Sequence, residues 1–160
     1  QIESVCSVNL SRVTQLFNKT NQMNLSTRRV TENELIEWLK HSQRILKAFR
    51  VKDKFGDLGL VGVLSLDFSQ DKVRIIDFIL SCRAMGRKVE EFMLSHICGI
   101  AREKGIYSLI GEYVETKNNK PCLDFFNCTG FLSDEGGLLK MKLNAIRPQC
   151  FEACLEDFFN

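Results

Sequence analysis

Across 160 residues there are two histidines, two prolines, one tryptophan and no Cys-x-x-Cys pair. The missing pairs weigh against structural zinc, because His41 and His96 have no ligand-like neighbours in the chain. An excess of charge is missing too. Twenty-two basic and twenty acidic residues leave a net charge of +2, which gives no electrostatic footprint for nucleic acid or a membrane surface. No apolar run approaches the roughly 18–20 residues of a spanning helix, and no charged-then-apolar leader opens the chain. Low-complexity tracts and internal repeats are also absent.

What is present is ordinary globular composition, at 44% hydrophobic and 26% charged, which argues against disorder. The length suits one α/β domain spanning residues 1–160. Gln1 in place of Met suggests a domain excised from a longer polypeptide. The seven cysteines (Cys6, Cys82, Cys98, Cys122, Cys128, Cys150 and Cys154) are odd in number and irregularly spaced. Reduced thiols in a cytoplasm are the expectation.

Periodicity organises the chain. Val13, Leu16 and Phe17 mark a first helix beginning near Leu10, and 21–29 reads as a polar connector. Thr31 and Glu34 form a capping box for a second helix, with Leu35, Ile36 and Leu39 on its apolar face. Strands are predicted at 45–52, 60–66 and 73–82, joined by turns at 55–59 and 69–71 into an antiparallel meander. A helix over 89–104 ends at Gly105. A strand at 106–114, a short helix at 121–128 and a strand at 138–143 follow, and the strand–helix–strand section implies one parallel pair. Residues 148–160 read as a terminal helix with Phe151, Cys154, Leu155 and Phe158 on one side.

Between the third strand and its helix lies Arg83-Ala84-Met85-Gly86-Arg87-Lys88. A basic, glycine-containing loop that opens a helix offers unpaired amides and a favourable dipole to an anion, and a diphosphate fits it.

The loop and the order of elements resemble the GNAT acyltransferases, whose diphosphate loop reads Arg/Gln-x-x-Gly-x-Gly/Ala. Arg83 and Gly86 match, while Lys88 stands where Gly or Ala is usual. Asn119, Phe126 and Gly130-Phe131 resemble the second GNAT motif. Phe126 replaces a frequent Tyr and has no proton to give a departing thiolate. Three further blocks, at 20–29, 54–60 and 80–91, resemble the C-terminal region of FkbH-like proteins, in which a haloacid-dehalogenase-type phosphatase domain precedes a GNAT-like domain.

The resemblance implies an α/β (α+β) GNAT fold: a mixed, mostly antiparallel sheet flanked by helices. It implies acyl or glyceryl transfer through coenzyme A or carrier-protein phosphopantetheine, with an acyl carrier protein and an N-terminal phosphatase-like domain as partners. A free-standing N-acetyltransferase and a non-catalytic docking module are the alternatives. Cofactor contacts are expected at Ile79, Leu80, Arg83, Met85, Gly86, Arg87, Lys88, Asn119 and Phe126. Asn21, Asn24, Thr27 and Arg28 would border an acceptor cleft. Asp77 and Glu112 are candidate bases, against a plainer reading as ordinary strand residues. Cys82 is a candidate to hold an acyl group transiently, since a neighbouring cation and a helix start favour the thiolate; a small core residue is the alternative. No metal site is expected.

Overall fold

Helix α1 (Leu10–Lys19) forms where the sequence repeats its apolar residues at i, i+3, i+4, and Leu10, Val13, Leu16 and Phe17 are all buried. In the computed structural model, which describes residues 1–54, 56–68 and 71–143, the strand β1 (Ile2–Ser4) precedes it and the two-residue strand β2 (Met23–Asn24) follows. Helix α2 (Glu32–Leu39) starts as predicted at a capping box. The Thr31 N–H donates to Glu34 Oε2 at 2.6 Å, and the Glu34 N–H donates to Thr31 Oγ1 at 3.3 Å. Its buried face differs from expectation. Leu35 is buried as expected, but Ile36 and Leu39 are exposed and Trp38 packs on the core in their place, against Arg28 and Arg44.

The sheet is built from β3 (Arg44–Asp53), β4 (Gly56–Asp67), β5 (Val73–Leu80), β6 (Ser108–Glu112), β7 (Leu132–Ser133) and β8 (Leu138–Lys142) together with β1 and β2. Its order is β1-β3-β4-β5-β6-β8-β7, with β2 attached to β5. Among the described residues every pairing is antiparallel except β5 with β6. The predicted mixed, mostly antiparallel fold is therefore what forms. Strand β4 starts earlier than expected, since Gly56 and Asp57 continue the ladder to Asp53 and Lys52 across register shifts. The short β1, β2 and β7 carry too few residues to show a period of two, and none was predicted.

Helices α3 (Val89–Glu103) and α4 (Lys120–Cys128) pack on one face with Phe78 and Leu80, whereas α1 and α2 cover the other with Leu60, Val63 and Ile79. A register shift between Ser65 and Leu66 leaves Ile76 as an extra residue in β5. Such bulges re-aim the side chains that follow. Here Asp77 and Ile79 turn toward α1, and Phe78 and Leu80 toward α3. The expected helix at 148–160 lies outside the described residues.

Candidate functional site

Strands β5 and β6 pair only from Val73–Leu109 to Ile75–Gly111. Beyond that point they part, and the backbone edge of β5 over residues 78–80 is left without its parallel neighbour. The chain fills this opening itself. Met23 and Asn24 pair antiparallel with Leu80 and Ile79, and the Leu25 N–H donates to the Phe78 carbonyl at 3.1 Å. On the far side the Val114 N–H donates to the Leu25 carbonyl at 3.0 Å. Met23 and Leu25 point into the α3–α4 core, and a Cβ placed on Gly111 would come within 3.3 Å of Leu25 Cδ2. The stretch predicted as a polar connector therefore carries a buried wedge, because Met23 and Leu25 alternate around Asn24.

Asn119 secures that wedge. Its Nδ2 donates to the carbonyls of Asn24 (3.0 Å) and Val114 (2.9 Å), and its Oδ1 accepts from the Tyr113 hydroxyl and the Thr116 N–H. The amide expected on a pantetheine arm thus serves the chain's own backbone. Phe126 is fully buried among Phe78, Phe125 and Phe131. The β5 edge of Ile79 and Leu80, also expected to meet the arm, is the one that Met23 and Asn24 occupy.

The basic loop folds as a single 3₁₀ turn (Cys82–Ala84) leading to Gly86 at φ +71° and Lys88 at φ +61°. The left-handed conformation at Lys88 accounts for the small residue usual there, since a side chain at positive φ costs about 1–2 kcal/mol. Arg83, Gly86, Arg87 and Lys88 are exposed and Met85 is half-buried. The cradle already holds an anion-like group. Glu90 is buried, and its Oε1 accepts the Gly86 N–H at 2.9 Å. Burial pushes its carboxyl up, opposed by bonds from the backbone N–H groups of Glu90, Gly86 and Val89.

On the α1 face Asp77 is fully buried and closely bonded. Arg28 Nε reaches its Oδ1 at 2.7 Å and Arg28 Nη2 its Oδ2 at 2.5 Å, while the Ser26 hydroxyl donates at 2.6 Å. The guanidinium of Arg28 sits 5.2 Å from the Trp38 ring centre and 5.5 Å from that of Phe17. Thr27, at φ +54°, turns the chain between Ser26 and Arg28, its N–H bonded to Asn24 Oδ1 at 2.9 Å. Asn21 is exposed and accepts from Arg29 at 2.6 Å. Glu112 is exposed on β6 and, with Ser26, Arg74, Ile76, Ile110 and Leu138, lines a cavity of about 270 Å³ at the bulge. Ser26, which bonds Asp77, links the two candidate bases to one cavity. Cys82 lies apart from them, exposed at the end of β5 in a separate cavity.

The sequence matches no protein-family model and no curated protein. Solved structures do match. The PaiA N-acetyltransferase of Thermoplasma acidophilum, solved with coenzyme A, is 15% identical, aligns over 89% of this chain and 98% of its own, and gives a TM-score of 0.63. The ribosomal-protein-S18-alanine N-acetyltransferase of Escherichia coli is 10% identical over 89% and 93%, at 0.67. YncA of Salmonella typhimurium, solved with its cofactor acetyl-CoA, is 13% identical over 89% and 93%, at 0.62. The fold is that of the GNAT acetyltransferases.

Within this GNAT fold the residues that sequence reasoning missed are the occupants of the groove. Glu90 was legible only as one of two acids in a first helical turn, a common and favourable place for a carboxylate. Tyr113 is a buried hydroxyl beside the wedge, and burial raises its phenol so that it stays protonated. Its proton is engaged by Asn119. The half-buried Arg12 and the exposed Lys19, both on α1, carry no motif at all.

Proposed function

We propose that the chain is a GNAT-type acyltransferase domain that handles a pantetheine thioester, carried by coenzyme A or an acyl carrier protein. The observation that carries this reading is the parallel pair that parts after Ile75 and Gly111, beside a basic loop opening α3. An arm that displaced the wedge of 23–25 from that parting would present its thioester to the α1 face, where Asp77, Glu112 and Cys82 are the candidate groups. Its diphosphate would take the Gly86 loop. Two structural neighbours were solved with coenzyme A or acetyl-CoA, which supports the same cofactor here.

The finer reading is an FkbH-like domain that works behind a phosphatase domain in the cytoplasm, passing an acyl or glyceryl unit to or from a carrier. In the Cys82 version the thiol ionises to solvent, the thiolate sulfur attacks the thioester carbonyl, the carbon–sulfur bond to pantetheine breaks, and the released pantetheine thiolate takes a proton back from solvent. A free-standing N-acetyltransferase fits the same fold.

The wedge and Glu90 favour a second reading, a docking module whose groove is closed for good. Calorimetry with acetyl-CoA and with a phosphopantetheinylated carrier protein decides between them. Micromolar binding of either ligand, abolished by Gly86→Asp, supports the thioester reading. Binding of the carrier form alone favours the FkbH-like version. If neither ligand binds at millimolar concentration, the acyltransferase reading fails.

A further inference from the structure

At the C-terminal end of β5, on the α1 face of the sheet, lies a cavity of about 600 Å³. It shares Arg83 with the basic loop but does not include Gly86, whose N–H is taken by Glu90. Arg12, Lys19 and Arg83 all line it, and among the described residues no Asp or Glu does. Its remaining polar wall is neutral, including Gln22, Ser81 and Asn118.

Arg12 is held at this cavity rather than merely near it. Arg12 is anchored, its Nε and Nη2 donating to the Leu60 carbonyl at 3.3 and 3.2 Å while Nη1 meets Gln15. Burial, and after it the positive field of Arg83, lowers the Arg12 guanidinium from its ordinary value. Folding has thus brought two like charges together around a space of ligand size with no acid among its described lining residues. An incoming dianion removes that repulsion and gains charge-assisted hydrogen bonds to the guanidinium forks.

We propose that this cavity is a phosphate-monoester site, in which Arg12, Lys19 and Arg83 bind the dianion from the α1 face, while Glu90 keeps the Gly86 loop closed to it. The ligand's organic part would rest on 20–22, directly before the wedge at Met23–Leu25, so occupancy bears on the segment that closes the parting. The proposal does not depend on the acyltransferase reading. Any phosphate monoester of fitting size satisfies it, whether free or on a pantetheine arm.

The test is titration by calorimetry with inorganic phosphate, 4′-phosphopantetheine and unphosphorylated pantetheine, in low and high salt. Phosphopantetheine should bind at least tenfold more tightly than pantetheine, and less tightly as salt rises. Lys19→Gln and Arg83→Gln, both at exposed side chains, should each weaken binding about tenfold. Binding of inorganic phosphate with the same variant pattern, but no gain from the pantetheine arm, would identify a free phosphoester as the ligand. Equal binding of pantetheine with and without phosphate, unchanged affinity in both variants, or no binding at millimolar concentration would each overturn the proposal. Loss of acetyl-CoA binding in Gly86→Asp with phosphate binding intact separates this site from the loop, so either proposal can fail alone.

Discussion

The Gly86 N–H donates to the Glu90 carboxylate at 2.9 Å, so the loop that a diphosphate would occupy is bonded to an acid four residues along its own helix. Because burial raises the Glu90 carboxyl in the fold, the native state holds this proton to higher pH than the unfolded chain does. Its contribution is therefore favourable in acid and is lost as pH rises from the unfolded carboxylate range through the raised folded value. Glu90→Gln should flatten that dependence in urea unfolding measured from pH 4 to 8. The same variant removes an anion from the loop and should raise affinity for acetyl-CoA about tenfold by calorimetry, since like charges a few ångströms apart repel by more than 1 kcal/mol. Unchanged affinity would mean that Glu90 is not what closes the loop.

Asn119 holds the wedge through its two amide hydrogens, one on Asn24 and one on Val114. Asn119→Asp keeps the size and removes both donors, setting carboxylate oxygens against two carbonyls. Thermal unfolding should show a loss of about 2–4 kcal/mol, the cost of leaving buried acceptors unpaired. Asn119→Ala should cost less, because it removes the donors without adding repulsion. The reverse order would show that the side chain's volume, and not its hydrogen bonds, is what matters.

The order of elements was legible because the long segments carry strong periods: the α1 stripe, the capping box at Thr31 and Glu34, and the alternation through β3 and β4. The parallel pair followed from a helix placed between two strands. The candidate loop was legible too, from Arg83 and Gly86. What sequence could not show is what sits in the groove. Met23, Asn24 and Leu25 form a pattern only three residues long inside a polar stretch, and their pairing to β5 is set by the parting of β6 far along the chain. Arg12 and Lys19 reach the cavity beside Arg83 through the packing of α1 on the sheet, which no local spacing reports. The rotation of α2 onto Trp38 likewise depends on Arg28 and Arg44, which come from other elements.

Arg28 and Asp77 form a bidentate pair whose carboxylate is fully buried while the guanidinium is 35% exposed. Removing the arginine strands the charge. Arg28→Ala should cost about 3 kcal/mol in urea unfolding, at the low end for a buried pair because solvent reaches one partner. Asp77→Asn keeps the Ser26 bond and one arginine bond, and should cost about 1–2 kcal/mol. If Asp77 is also the base for acyl transfer, Asp77→Asn abolishes turnover despite this mild loss. Retained turnover would confine Asp77 to holding the 26–28 turn.

The described cysteines divide into two sets by environment. Burial pushes the Cys98 thiol up to about 11 and the Cys122 thiol up to about 12, so neither forms appreciable thiolate near pH 8. Cys6, Cys82 and Cys128 are exposed. Iodoacetamide at pH 8 followed by peptide mass spectrometry should therefore label Cys6, Cys82 and Cys128 in the native protein, and Cys98 and Cys122 only after unfolding. Phosphopantetheine bound in the cavity that Cys82 shares with Arg83 should slow labelling of Cys82 severalfold and leave Cys6 and Cys128 unaffected. Equal slowing at all three sites would point to consumption of the reagent by the ligand's own thiol, and no slowing at Cys82 would place the bound phosphate elsewhere.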